Sequence, residues 1–146
     1  MKIATFKHKD SIELGLLVND KLYSISNGGN SIAQDMNDFL QKGEDAMEKA
    51  RDLEKSIQDG NTDIEGITLN NNDLLAPVPN PPSCKDAYAF RQHVATARRN
   101  RGVDMIPEFD QFPIFYFTNH NAILGPSQDI LCMPDHMLRL DFELEA

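Results

Sequence analysis

The first 25 residues alternate between apolar and polar positions in the manner of β-strands. In "KIATFKH", Ile3 and Thr5 fall on one side and Ala4 and Phe6 on the other. "IELGLLV" and "KLYSI" read as a second and a third strand. "KHKDS" supplies a turn between the first two. Asn19-Asp20 stands between the second and third, where residues that tolerate a left-handed backbone suit a tight hairpin. The pattern predicts a small antiparallel meander.

The period then changes. "SNGGN" breaks the alternation, Ser31 with Gln34 makes a capping-box pattern, and Ile32, Met36, Phe39 and Leu40 follow at helical spacing until Gly43. A second helix is predicted over 44–58, with Ala46, Ala50, Leu53 and Ile57 in one apolar stripe and Gly60 as its stop. Such a stripe signals ordinary core packing. Beyond it, "TDIEGITLNNNDLLAPVPNPPSCKD" carries Pro77, Pro79, Pro81 and Pro82, which neither continue a helix nor donate to a central sheet ladder. A boundary is expected there, with 1–75 a small α+β domain and 76–146 the start of a second one. In that second part "DAYAFRQHVATARRNRG" predicts a helix from Asp86 to about Arg101, ended by Gly102. "FPIFYF" predicts an aromatic strand, "NHNAILGPSQDI" a loop with a short strand inside, and "LRLDFELEA" a last strand.

Composition narrows the function classes. With 146 residues, 40% hydrophobic and 25% charged, the chain has the makings of one or two folded domains. A net charge of -9 argues against binding nucleic acid or an anionic membrane through the general field, while leaving room for a local basic pocket. Cys84 and Cys132 have no metal-type spacing and read as free thiols. The charged, alternating N-terminus is unlike a signal peptide, and no apolar run approaches bilayer length. A cytoplasmic protein is the expectation.

Three groups of residues stand out chemically. Asp141, Glu143 and Glu145 share one face of the predicted last strand, opposite Phe142 and Leu144. Two readings are open: a solvated acidic face, or a site for a hard cation, whose charge removes the repulsion between neighbouring carboxylates. His93 lies seven residues after Asp86, about two helical turns, so a regular helix would turn both to similar faces. It is either a surface histidine or a general base, since histidine titrates near neutrality. Arg91, Arg98, Arg99 and Arg101 make a basic surplus, read as a solvated helix face or as a holder for an anionic substrate. Tyr88 and Tyr116 suit packing or ligand contact. Asn27-Gly28-Gly29-Asn30 precedes a helix but lacks a phosphate-loop pattern, and His8, His120 and His136 have no zinc spacing.

Taken together, "LLAPVPNPPSCKDAYAFRQHV", "FPIFYFTNHNAILGP" and "LDFELE" resemble the fumarylacetoacetate hydrolase family in order and spacing over residues 74–145. The opening "MKIATFKHKDSIELGLLVNDKLYSI" resembles the small N-terminal domain of its longer members, while 26–66 match loosely. The resemblance implies a catalytic domain built as a β-rich roll, with magnesium, manganese or calcium on Asp86, Glu143 and Glu145. It further implies His93 as the catalytic histidine, Tyr116 and Tyr88 at the substrate pocket, and a substrate arginine within Arg98–Arg101, for which Arg101 is taken. The implied reaction cleaves a C–C bond of a 1,3-diketo or 2-oxo acid, such as an acylpyruvate, through a metal-bound enolate.

The family's further acidic ligand, its lysine and threonine, and the glutamate partner of its histidine follow later than residue 146. The resemblance therefore implies the N-terminal portion of a metal-dependent hydrolase or lyase, nearly inactive alone and homodimeric at full length. Two alternatives remain at this stage: a non-catalytic binding or dimerisation module from a truncated or decayed family member, and a plain α+β domain whose acids lie on the surface.

Overall fold

The computed structural model describes residues 1–27 and 31–130. These divide into two compact units, one of Met1–Pro79 joined by 124–130 and one of Asn80–Ile123. Sequence analysis assigns 76–79 and 124–130 to the second part; in the structure they lie with the first.

The first unit is α+β. Strands β1 (Ile3–His8), β2 (Ser11–Val18), β3 (Lys21–Ser24) and β4 (Ile67–Thr68) form one antiparallel sheet in that order. The predicted meander is present, and β4, which falls in the stretch expected as a proline-rich connection, adds an edge strand. Asn19 and Asp20 both adopt left-handed φ, 49° and 60°, as a two-residue hairpin between twisted strands requires. The register pairs Thr5 with Leu14, Ile3 with Leu16 and Leu16 with Tyr23, so these side chains share one face. Leu14, Leu16 and Val18 pack there with Ile25, Phe39, Ala46, Ala50 and Ile57 into the core.

Helices α1 (Met36–Lys42) and α2 (Glu44–Gln58) cover that face. The second has the predicted bounds, and its small Ala46 and Ala50 are fully buried. Gly43 (φ 56°) ends α1, and Gly60 (φ 73°) follows α2. The N-cap of α1 differs from expectation. Asp35, not Ser31, accepts from the Asp38 backbone N–H at 2.9 Å, and the Asp38 carboxylate accepts from the Gln34 N–H at 2.8 Å. Aspartate ranks with serine as an N-cap, and Ile32 and Ala33 are buried before the helix begins, so the chain enters it later than the Ser31–Gln34 spacing suggests. Leu40, read at helical spacing with Ile32, Met36 and Phe39, is exposed.

The opposite face carries Phe6, Glu13, Gly15 and Leu22 by the same register. After β4 the chain passes a 3₁₀ turn at Asn71–Asp73 and returns to the outer edge of β1. There Phe6 bridges Leu74, Leu75 N–H donates to Thr5 O at 3.0 Å, and Thr5 Oγ1 donates to Pro77 O at 2.8 Å. The segment 124–130 rests on this return. A Cβ on Gly125 would stand 2.8 Å from Leu74 O and 2.9 Å from Leu75 Cα, main-chain atoms with no room to rotate away, so only glycine fits.

Glu13 is a buried carboxylate on this second face. Its Oε1 accepts from Ser11 Oγ at 3.1 Å and lies 3.3 Å from His8 Nδ1. Among the described residues the buried Ser24 hydroxyl has no partner in good hydrogen-bond geometry, but it lies near enough to the carboxylate to help lower its pKa. Burial raises the pKa of Glu13. Ser24, Ser11, Asn27 and the nearby His8 together outweigh burial and hold it below the ordinary 4.5. A depressed folded value stabilises the protein above the unfolded value, and that stabilisation is lost as pH falls through the folded value. Glu13→Gln is therefore expected to destabilise the unit at neutral pH and to converge on the wild type in acid. Urea unfolding of both proteins from neutrality to about pH 3 checks this; a stability difference that stays constant with pH would contradict it.

The second unit contains strands β5 (Lys85–Ala87) and β6 (Phe115–Phe117), paired antiparallel, and helix α3 (Arg91–Asn100). The helix begins five residues later than expected. Asp86 lies on β5, because "KDA" is taken up by pairing with the aromatic strand: Lys85 faces Phe117, Asp86 faces Tyr116 and Ala87 faces Phe115. Cross-strand pairing outweighs helix propensity in these short segments. Gly102 (φ 71°) follows the helix as predicted. The short strand expected within 119–130 is absent; Asn119 instead makes a side-chain turn, its Oδ1 accepting from Asn121 N–H at 3.1 Å. The strand expected over 138–146 lies outside the described residues, as do Gly28, Gly29 and Asn30.

Candidate functional site

The β5–β6 pairing places two expected site residues against each other. Asp86 and Tyr116 are directly opposed, and the Tyr116 hydroxyl donates to Asp86 Oδ2. Asp86 is half-buried, whereas Tyr116 is exposed. An ionised carboxylate accepting from a phenol is held in one orientation, and a charge-assisted hydrogen bond of this kind is stronger than a neutral one. The other face of the ribbon is apolar and cationic. Lys85 Nζ lies 5.0 Å from the Phe115 ring centroid and 5.4 Å from that of Phe117, and the two rings meet edge to face at 5.8 Å.

Three residues beyond β5, Phe90 caps α3 and leads into Arg91, Gln92 and His93. His93 is exposed and lines an open cavity of about 570 Å³ with Phe90, Arg91, Gln92 and Thr96. Asp86 and Tyr116 are not part of that lining. The shared helical face expected for Asp86 and His93 does not exist, since Asp86 is on a strand. Tyr88 follows β5 directly, donates its N–H to Ile114 O at 3.1 Å and exposes its ring.

The basic cluster is partly spoken for. Arg91 grips Asp110 through two bonds, Nε to Oδ1 at 2.9 Å and an Nη to Oδ2 at 3.1 Å. Hydrogen bonding and the charge of Arg91 hold the Asp110 carboxyl below its ordinary value. Arg98 Nε donates to the Asp104 carbonyl. Arg99 and Arg101 are exposed at the C-terminal end of α3, where cations complement the helix dipole. Sequence reasoning did not find the Arg91–Asp110 fork. Its partners are 19 residues apart, and no local pattern announces such a pair. The role of Lys85 was missed too, although the alternation of "KDA" was a usable strand signal.

Glu143 and Glu145, the remaining expected cation ligands, lie outside the described residues, as do Asp141, Cys132 and His136. Among the described residues no group of three or more His, Cys, Asp or Glu side chains converges as a metal site. Cys84 is half-buried with a free thiol. No helix among the described residues is long and apolar enough to cross a membrane. No protein-family model matches the chain, and no curated protein matches it.

Proposed function

We propose that this chain carries the first part of a metal-dependent hydrolase or lyase of the fumarylacetoacetate hydrolase type, acting on C–C bonds of 1,3-diketo or 2-oxo acids. The observation that carries the reading is the Asp86–Tyr116 pair. The resemblance assigns one residue to the cation and the other to the substrate, and the two stand face to face on adjacent strands. Asp86 is a hard oxygen donor of the type that Mg²⁺, Mn²⁺ and Ca²⁺ take. The Tyr116 bond to Oδ2 leaves Oδ1 to ligate and fixes its direction, as outer hydrogen bonds do for metal carboxylates. In this proposal Glu143 and Glu145 supply the other carboxylates.

A divalent cation bound there supplies the positive charge that polarises a substrate carbonyl and favours departure of an enolate. The chain's own groups do the rest. His93 takes a proton from the attacking water, Arg101 pairs with the substrate carboxylate, and the Tyr116 and Tyr88 rings border the oxo acid. The exposed Phe115 and Phe117 belong in this reading to the first strands of a β-rich roll whose further strands cover them. The complete enzyme is then a cytoplasmic homodimer.

The test follows the chain with Mg²⁺ and an acylpyruvate by loss of enolate absorbance, and separately measures binding of oxalate, a two-oxygen mimic of the enolate. Oxalate should bind only with the cation present. Any cation-dependent cleavage should fall by about 10²–10⁴-fold in His93→Gln. Oxalate binding that ignores the cation, or cleavage indifferent to His93, would contradict the proposal.

A further inference from the structure

The first unit has a cavity of about 320 Å³ on the Phe6 face of its sheet, a size suited to a small metabolite. Leu22 and Phe6 contribute to its floor, and both are almost fully buried. One wall is formed by His8 and Lys9 with the backbone of Lys7, whose side chain alternates to the opposite face; across from it stand Asn70 and Asp73 of the return segment. Three observations set this wall apart from a solvated surface. His8 is held in place: its ring stacks on Phe6 at 6.4 Å, and its Nδ1 lies 3.3 Å from the buried Glu13 carboxylate. A carboxylate at Nδ1 fixes the ring and leaves Nε2 as the nitrogen for a ligand. Lys9 takes a left-handed φ of 55° at the β1–β2 turn, a position that glycine or asparagine normally fills, so a cation occupies a site where local backbone preference would not choose it. Finally, this basic wall stands in a chain of net charge -9.

We infer that this cavity binds a small hydroxylated oxyanion. His8 and Lys9 hold its anionic oxygens, and Asp73 with Asn70 accepts from a hydroxyl at its other end. Guest and walls match in charge. The acid across the cavity disfavours a ligand anionic at both ends, so the preferred class has one charged end and one hydroxylated end. The anionic end is a phosphate monoester or a carboxylate. Neither the site nor the ligand overlaps the oxo-acid chemistry proposed for the second unit.

The experiment titrates the ¹⁵N-labelled chain with glycerol 3-phosphate and, separately, with glycerate, at fixed ionic strength. It follows the His8 ring and the backbone amides of Lys9, Thr68 and Asn70. At least one of the two should produce saturable shifts at these positions, and the arm that saturates identifies the anionic group. Lys9→Gly tests the role of the cation without harming the turn, because glycine favours the observed φ. It should leave thermal stability equal or higher while weakening binding several-fold, whereas Lys7→Gln, whose side chain lies on the opposite face, should leave binding unchanged. Absence of saturation in both arms, or shifts that survive Lys9→Gly undiminished, would overturn the inference. So would shifts confined to Arg98–Arg101 on α3.

Discussion

Asp86→Asn is expected to lower the affinity of the chain for Mn²⁺ or Mg²⁺ by more than the cost of losing an outer hydrogen-bond partner, about 10–100-fold, while leaving its fold intact. The substitution keeps the size of the side chain and its place on β5, opposite Tyr116. What it removes is the negative charge, on which a hard cation depends more than on any neutral oxygen. An amide also meets the Tyr116 hydroxyl differently, since half of its hydrogen-bonding capacity is donor. Tyr116→Phe separates the two effects: it keeps the carboxylate charge, releases its orientation, and should cost less than Asp86→Asn. Cation binding followed by electron paramagnetic resonance of free Mn²⁺ reads both. Equal affinities for wild type and Asp86→Asn would remove Asp86 from the ligand set.

Phe6→Ala should destabilise the first unit by about 3–5 kcal/mol, the usual range for deleting a buried aromatic ring. Phe6 is 1% exposed and is among the largest fully buried side chains. Its neighbour Gly15 shows how closely the ring is fitted: a Cβ there would stand 2.8 Å from Phe6 Cε1. The backbone of Phe6 also bridges Leu74, so the ring anchors the edge where the chain returns to β1. Its loss leaves a void that this closed edge cannot readily collapse into. Against a typical whole-domain stability of about 5–15 kcal/mol, such a loss is large. Amide exchange resolves the result by unit: protection in β1–β3 should fall while that of α3 changes little. A change below about 1.5 kcal/mol, the range of a volume-conserving swap, would show that the ring is not a structural anchor.

The sequence was most legible where a local rule and the tertiary fold agree. The β1–β3 meander follows from strict alternation and from Asn19-Asp20. The bounds of α2 follow from one apolar stripe between Gly43 and Gly60. Legibility failed where a distant partner decides the local structure. Asp86 reads as the start of a helix until Tyr116, 30 residues away, pairs with it across two strands. Ile67–Thr68 are too short to announce a strand and become one only because Lys21 and Leu22 present an open edge. The Arg91–Asp110 fork and the His8–Glu13 contact depend likewise on geometry that spacing does not encode. Of the candidate site, residue types were legible and neighbours were not. The structure brings Asp86 to Tyr116, leaves His93 beside an open cavity that neither of them lines, and ties Arg91, which lines that cavity too, to Asp110.

The proposed function rests on one claim above all: that Asp86 shares a single cation with Glu143 and Glu145. Paramagnetic broadening by sub-stoichiometric Mn²⁺ measures this directly, because its effect falls off steeply with distance from the ion. The proposal predicts that amides of 85–87, 115–117 and 142–146 broaden together at the lowest Mn²⁺ additions, and that Asp86→Asn diminishes the effect at all three segments at once. Broadening at 142–146 with 85–87 and 115–117 untouched, or broadening first at amides outside these three segments, would contradict it.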